Sequence, residues 1–209
     1  MFTIISDIDD VVRDFRRNII ASMNLFHHGD DWGEYNYNNP KLREFFDWYR
    51  EKPYFYHLYQ SSHPNTEMIN LLNRLMYRNN QMNLFFLSSN TYKMGQVLTN
   101  QFLFEHFREQ YISSNIYYVD RWFNKINHVK HNTGIYGIDK LNTIFIDDRP
   151  DSCLSFIQDG RLAFWYTKYL TPDSISVWEK EIPLSKELPR GDTQQFEMFL
   201  KEKIGGIHV

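Results

Sequence analysis

The chain has 209 residues, a formal net charge of −3 and a single cysteine. A chain of this length can bury one sizeable core, and a lone cysteine excludes an internal disulfide. Because no apolar run approaches the roughly 20 residues of a membrane helix and the first residues lack the pattern of a secretion signal, we expect a cytoplasmic protein without a membrane segment. The slightly acidic charge disfavours strong nucleic-acid binding.

The first predicted element is a short apolar strand, Phe2–Ile5. The segment that follows, residues 13–63, has no strand alternation, and its apolar residues recur at helical spacing over 15–23 and again over 42–49. Between them lies the turn-rich stretch HHGDDWGEYNYNNP. We therefore predict two or more helices joined by a polar loop, which together form a small helical cap at residues 13–63.

From residue 65 the pattern becomes a regular alternation of helices and strands. The predicted helices cover 66–77, 94–107, 128–138 and 151–158, and the predicted strands cover 82–89, 115–120, 142–148 and 161–167. This alternation predicts an α/β fold, a Rossmann-like parallel sheet with helices on both faces. The catalytic core would then comprise residues 1–12 and 64–209, with the charged segment 170–209 and its final helix, 193–204, packed on it as a C-terminal extension.

Acidic and hydroxyl side chains follow three of the predicted strands. Asp7 and Asp9 follow the first strand, Ser88 and Ser89 end the second, and the pair Asp147-Asp148 ends the fourth. Functional groups of such sheets gather beyond the carboxyl ends of the strands. Converging carboxylates would repel one another unless a cation is bound, and their hard oxygen atoms suit Mg²⁺, which in turn holds phosphate groups.

This set predicts phosphoryl-transfer chemistry. It provides a carboxylate that can attack phosphorus, a second acid two residues later that can protonate the leaving oxygen, and hydroxyl groups that can bind phosphoryl oxygens. A lysine would complete the set. Three candidates, Lys125, Lys130 and Lys140, lie between the third predicted strand and the fourth.

The ordered set resembles the haloacid dehalogenase superfamily of aspartyl phosphatases. The resemblance consists of Asp7-Ile8-Asp9-Asp10-Val11, Ser88, a lysine and Asp147-Asp148. Within that superfamily, the stretches DIDDVVRDF, FFLSSNTYK and IFIDDRPD look most like the 5'(3')-deoxyribonucleotidase branch, whose cap is a small helical bundle. Two positions depart from the pattern, since Asp10 stands where the family often has glycine and Asn90 where the nucleotidases often have proline.

The resemblance also implies roles for individual residues. Asp7 would be the nucleophile that forms an aspartyl-phosphate, and Asp9 would be the general acid that later activates water. The Mg²⁺ ligands would be Asp7, Asp9 through its backbone carbonyl, Asp147 and Asp148. Ser88, Ser89 and Lys130 would bind the phosphoryl group, with Lys125 as the second choice of lysine.

The predicted function is therefore a Mg²⁺-dependent phosphomonoester hydrolase that acts on a small molecule, a (deoxy)nucleoside monophosphate, with a homodimer as one oligomeric option. Two alternatives stay open: a phosphatase of the same superfamily acting on nucleic-acid ends or phosphoprotein, and a non-catalytic binding protein that keeps the fold. Arg149 either orients the carboxylates or pairs with Asp151. The remaining arginines of interest are expected on a solvated face; they are Arg13, Arg16, Arg17 and Arg43.

Overall fold

The computed structural model describes residues 2–26, 44, 48–49, 52, 56–78, 82–108, 115–121, 124–132 and 140–204. Its centre is a sheet of six strands in the order β5-β4-β1-β6-β7-β8, in which each strand is parallel to its neighbours. The strands are β1 (Phe2–Ser6), β4 (Met82–Ser88), β5 (Ile116–Tyr118), β6 (Thr143–Asp147), β7 (Leu162–Tyr166) and β8 (Arg190–Gly191). The predicted Rossmann-like α/β fold is confirmed.

Helices cover both faces of this sheet. They are α1 (Arg16–Phe26), α2 (His57–Gln60), α3 (Thr66–Arg78), α4 (Lys93–His106), α5 (Lys125–His131), α6 (Pro150–Gln158), α7 (Pro172–Glu181) and α8 (Thr193–Ile204), with short 3-10 helices at Lys140–Asn142 and Pro183–Glu187. No helix of the described ranges is both long and apolar enough to cross a membrane.

Alternate residues of each central strand enter two separate cores, because successive side chains of a strand point to opposite faces. Ile4, Phe86 and Ile144 pack with α3, α4 and α8 on one face. Phe85 and Phe145 pack with α5, α6 and α7 on the other. Both faces of the sheet are therefore buried, which explains the near-continuous apolar composition of these strands.

The segment predicted as a cap begins and ends at a small antiparallel ribbon. Strand β2 (Arg13–Asp14) pairs with β3 (His63–Pro64), so the chain leaves the core and returns to it at the same place. Helix α1 confirms the first of the predicted helices, whereas the four-residue α2 has no counterpart among the predicted ones. The turn-rich stretch and the helical pattern at Leu42, Phe45 and Phe46 lie outside the described residues, and the division into core and cap stays a prediction.

Two elements differ from the sequence-based expectation. Helix α5 begins at Lys125, three residues before the predicted start, and residues 133–139 of the predicted helix lie outside the described ones. The C-terminal extension adds a helix and a sheet strand that were not predicted, α7 and β8. Helix α7 begins as capping rules require, because the Thr171 hydroxyl accepts a hydrogen bond from the Ser174 amide and proline occupies the first helical position.

Candidate active site

Three buried carboxylates meet at the carboxyl edge of the sheet. Asp7 follows β1, Asp147 ends β6 and Asp148 is the next residue, and one oxygen from each lies within 4.8 Å of the other two. The parallel register brings them together, since Ser6 pairs with Ile146 and the Asp7 amide donates to the Ile146 carbonyl at 2.8 Å. The sequence-based expectation that these strand ends share one edge holds for this trio.

A buried lysine bridges two of these carboxylates. The Nζ atom of Lys125 lies 2.8 Å from Oδ1 of Asp7 and 2.7 Å from Oδ2 of Asp147. Lys130, the first choice from the sequence, instead pairs with Asp159 at 3.1 Å and leaves 46% of its side chain exposed. The choice of Lys130 is therefore corrected to Lys125, which lies in the first turn of α5, beside the carboxylates, whereas Lys130 lies in the last turn.

Burial and repulsion from neighbouring acids raise the pKa of Asp7 and of Asp148. Desolvation raises the pKa of Asp7 to about 7, with Lys125 opposing the rise and Asp147 and Asp9 adding to it. Desolvation, followed by repulsion from Asp10 and Asp147, raises the pKa of Asp148 well above its usual range. For Lys125, desolvation alone would lower the pKa, but the carboxylates of Asp147 and Asp7 outweigh it and raise it. The ammonium group is therefore charged.

The trio fits a hard divalent cation. Each member can offer a carboxylate oxygen, and oxygen is the donor type that Mg²⁺ takes in proteins. The donor atoms are close enough to share an ion. Burial raises the pKa of Asp7 and of Asp148, and a bound cation would favour their ionised forms. Asp7, Asp147 and Asp148 are thus the residues that would hold the metal.

The other predicted site residues lie around this trio. Ser88 ends β4 next to β1 and is buried, whereas Ser89 is exposed. Continuing the register of β1 with β4 places Asp7 opposite Leu87, one residue before Ser88. Asp9 keeps 21% of its side chain exposed and accepts hydrogen bonds from Arg13 at its Oδ1 atom. His27 and His28 lie outside the described residues.

Two arginines expected on a solvated face are buried instead. Arg13 is fully buried against Asp9, and Arg16 places Nη2 3.2 Å from Oδ2 of Asp148 and Nε 3.4 Å from Oδ2 of Asp10. The expectation was wrong for both because each arginine is paired with an acid of the DIDD stretch. The sequence carries no local signal for these pairings, because the four-residue spacing rule applies to helices and residues 10–12 form a turn.

The remaining arginines match the sequence-based options. Arg17 leaves 70% of its side chain exposed and pairs with Asp14. Arg149 pairs with Asp151 at 2.7 Å, which supports the second of the two roles considered for it. Its backbone amide does contact the site, because it donates to Oδ1 of Asp147 at 2.9 Å and so orients that carboxylate. Arg43 lies outside the described residues.

No protein-family model matches the sequence, and no curated protein matches it. Solved structures match it over nearly its whole length. A haloacid dehalogenase (HAD) family hydrolase from Deinococcus radiodurans, solved with bound phosphate and sodium, is 12% identical, with a TM-score of 0.58 over 97% of this chain and 96% of that one.

Two further structures have the same architecture. A hydrolase from Pseudomonas syringae is 12% identical, with a TM-score of 0.56 over 97% of this chain and 99% of that one. A protein from Thermotoga maritima, provisionally named a β-phosphoglucomutase, is 11% identical, with a TM-score of 0.59 over the same shares, 97% and 99%. At such low identity the likeness concerns the fold, and the chain therefore has the Rossmann-like α/β fold of haloacid dehalogenase-type hydrolases.

Proposed function

We propose that the protein is a divalent-metal-dependent phosphomonoester hydrolase in which Asp7 is the nucleophile. The observation that carries this proposal is the buried cluster in which Lys125 bridges Asp7 and Asp147 while Asp148 lies within metal-sharing distance of both. Such a cluster is costly for stability, since carboxylates are buried beside one another. A functional role explains the cluster, because a divalent cation bound by these carboxylates would balance their negative charge.

The proposed reaction has two steps. An oxygen of Asp7 attacks phosphorus and the bond to the leaving oxygen breaks, while Asp9 donates a proton to that oxygen. A water molecule then attacks the phosphorus of the aspartyl-phosphate with Asp9 as general base, which releases phosphate and restores Asp7. Mg²⁺ bound by Asp7, Asp147 and Asp148 would neutralise charge on the phosphoryl oxygens.

Other groups of the chain position the phosphoryl group. Lys125 keeps Asp7 in place and brings a fixed positive charge to the oxygens of the phosphoryl group. Ser88, buried at the end of the neighbouring strand, would donate a hydrogen bond to one of them, and the exposed Ser89 would assist. Preorganised donors of this kind stabilise the transition state most where water is excluded.

We propose a nucleoside monophosphate as the substrate, on the resemblance of the three sequence stretches to the deoxyribonucleotidase branch. Sugar phosphates belong in the same test, because one structural neighbour carries a phosphoglucomutase name. The leaving group would be recognised by residues 13–63, of which the structure describes the two ends. A cytoplasmic location and a homodimer remain predictions.

The test is phosphate release from the purified chain with Mg²⁺ over nucleotides, sugar phosphates, phosphopeptides and 5'-phosphorylated oligonucleotides. We expect turnover of a small monoester, loss of it with EDTA, and no detectable turnover by Asp7→Asn, because an amide is a poor nucleophile towards phosphorus. Asp173→Asn is the matched control, since Asp173 is exposed in the first turn of α7. Wild-type rates for Asp7→Asn would rule out the covalent mechanism, and an inactive wild type would favour the non-catalytic alternative.

A further inference from the structure

The guanidinium of Arg13 is buried beside the carboxylate of Asp9. Arg13 is fully buried, and its Nε atom donates to Oδ1 of Asp9 at 2.8 Å while Nη2 donates to the same oxygen. The backbones of the two residues also form a β-bridge. Both the side chain and the main chain of Arg13 therefore contact Asp9.

Arg13 is itself immobilised from several directions. Its Nη2 also donates to the buried hydroxyl of Thr99 in α4 at 3.1 Å. Three aromatic rings surround its guanidinium carbon at 5.2 to 5.3 Å from their centroids, those of Phe15, Tyr59 and Phe102. Cation–π contacts and hydrogen bonds offset part of the lost hydration of this guanidinium, whose Nη1 atom is buried without a hydrogen-bond partner among the described residues. The same contacts leave the group little freedom to change direction.

Both hydrogen bonds reach one oxygen of Asp9. Oδ1 is occupied by the arginine, whereas the side chain as a whole keeps 21% of its surface exposed. A carboxyl group held through one oxygen has a fixed orientation and can still exchange a proton through the other. A general acid needs this combination, because proton transfer requires the correct donor geometry.

We propose that Arg13 is a positioning residue that fixes the carboxyl group of Asp9 for proton transfer to the leaving oxygen. This inference rests on the proposed phosphatase function and adds a residue to it. Tyr59 comes from α2, at the returning end of the inserted segment, and Thr99 and Phe102 come from α4. The orientation of Asp9 is therefore set jointly by the insert and the core.

The test uses leaving groups of different basicity. Protonation by Asp9 matters for an alkyl or nucleoside phosphate, whose leaving alkoxide is strongly basic, and matters little for p-nitrophenyl phosphate, whose leaving phenolate is stable without a proton. The quantity to compare is kcat/KM, because it reports the step in which the leaving oxygen departs and not the later hydrolysis of the aspartyl-phosphate, which both esters share. For Arg13→Gln we expect kcat/KM to fall about 100-fold with the alkyl or nucleoside ester and less than about 10-fold with the p-nitrophenyl ester, as a misplaced general acid predicts.

Two more variants separate positioning from folding. Thr99→Val keeps the shape of the side chain but removes the acceptor of Arg13 Nη2, so we expect a smaller loss with the same preference for basic leaving groups. Thermal unfolding monitored by circular dichroism would show whether Arg13→Gln folds. If it does not fold, Thr99→Val becomes the test of the positioning role. Arg17→Gln is the control for charge, because Arg17 lies on the same segment with an exposed side chain, and it should match the wild type on both esters.

The outcomes distinguish the two proposals. If the wild type hydrolyses monoesters and Asp7→Asn does not, but Arg13→Gln and Thr99→Val lose the same factor on both esters or lose nothing, the positioning role is overturned and the phosphatase function stands. If the wild type releases no phosphate from any ester, the phosphatase function fails and the positioning role falls with it. A selective loss on basic leaving groups in folded Arg13→Gln or Thr99→Val supports both.

Discussion

Asp10 adopts a left-handed backbone conformation, with φ of +59°, that residues other than glycine rarely adopt. Such a left-handed residue costs about 1–2 kcal/mol unless it is glycine or forms local hydrogen bonds, as Asp and Asn do. Here Oδ1 of Asp10 accepts hydrogen bonds from the amides of Phe15 at 3.0 Å and Arg16 at 2.7 Å. Asp10 therefore supports the left-handed turn without a glycine and adds a cap to the start of α1.

The two lysines of α5 provide a matched pair of substitutions. Lys125→Met removes the cation between Asp7 and Asp147, and breaking a buried charge pair costs about 3–5 kcal/mol. Lys130→Met removes a partly exposed ion pair with Asp159, worth at most about 1 kcal/mol. Urea unfolding of the metal-free proteins should show this difference, and phosphate release should fall about 100-fold or more for Lys125→Met alone.

Equal effects of the two substitutions would contradict the placement of Lys125 in the site. A loss of activity confined to Lys130→Met would restore the choice made from the sequence. The comparison is informative because both lysines belong to one seven-residue helix and both variants introduce the same side chain.

At the scale of elements, helix α2 contacts helix α4 at a glycine. A Cβ atom added to Gly95 of α4 would lie 2.8 Å from Cζ of Tyr59 and 3.0 Å from its hydroxyl oxygen. Tyr59 also packs on Phe15, with ring centroids 4.9 Å apart, and on the guanidinium of Arg13. The absence of a side chain at residue 95 therefore lets α2 and α4 approach closely.

We expect Gly95→Ala to destabilise the protein by about 1–3 kcal/mol, as overpacking does in a buried contact. The expected sign is informative, because alanine inside a helix is otherwise favoured over glycine by about 1 kcal/mol. Urea unfolding measures the change. In a Tyr59→Ala background the same substitution should destabilise less, because Nδ2 of Asn90, at 3.0 Å, is then the one close contact of the three that remains. A stabilising effect in the wild-type chain would show that α2 does not pack on Gly95.

At the scale of the whole molecule, the unbalanced charge of the site affects the stability of the fold. The pKa of Asp7 is about 7 in the folded chain against a usual value of 3.8, so the folded state binds this proton more tightly than the unfolded state does. In the metal-free protein this group therefore lowers the free energy of unfolding as pH rises from about 4 to about 7, with the full loss present above that range.

Mg²⁺ should offset this loss. Below the pKa of Asp7 the metal must displace a proton, and above it the carboxylate is already ionised. We therefore expect Mg²⁺ to raise the melting temperature more at pH 8 than at pH 6, as measured by differential scanning fluorimetry against an EDTA reference. Asp7→Asn should reduce the difference between the two pH values. An equal increase at both, or none at either, would contradict the proposed metal site.

Much of the fold was predictable because its signals are local. Three elements occur close to their predicted positions: the apolar strands β4 and β6 and the amphipathic helix α3. Their patterns, a continuous apolar run and helical periodicity, are visible within a short stretch of sequence. The strand β8 was not predictable, because a two-residue strand has no periodicity and exists through its pairing with β7. The early start of α5 was missed for a related reason, since its first turn faces the site and carries a buried lysine in place of an apolar residue.

The sequence by itself determined that Asp7, Ser88 and the pair Asp147-Asp148 stand at strand ends, because each directly follows an apolar strand and parallel strands end at one edge. Only the tertiary structure decided which cations face them. Lys125 and Lys130 are five residues apart, about 7.5 Å along a helix axis. Which of them lies beside the carboxylates depends on where α5 begins and how it packs on the sheet. Arg13 and Arg16 are the same residue type as the exposed Arg17, and no local pattern distinguishes them. Tertiary packing does, because Arg13 is buried against Asp9 among three aromatic rings and Arg16 is buried against Asp148.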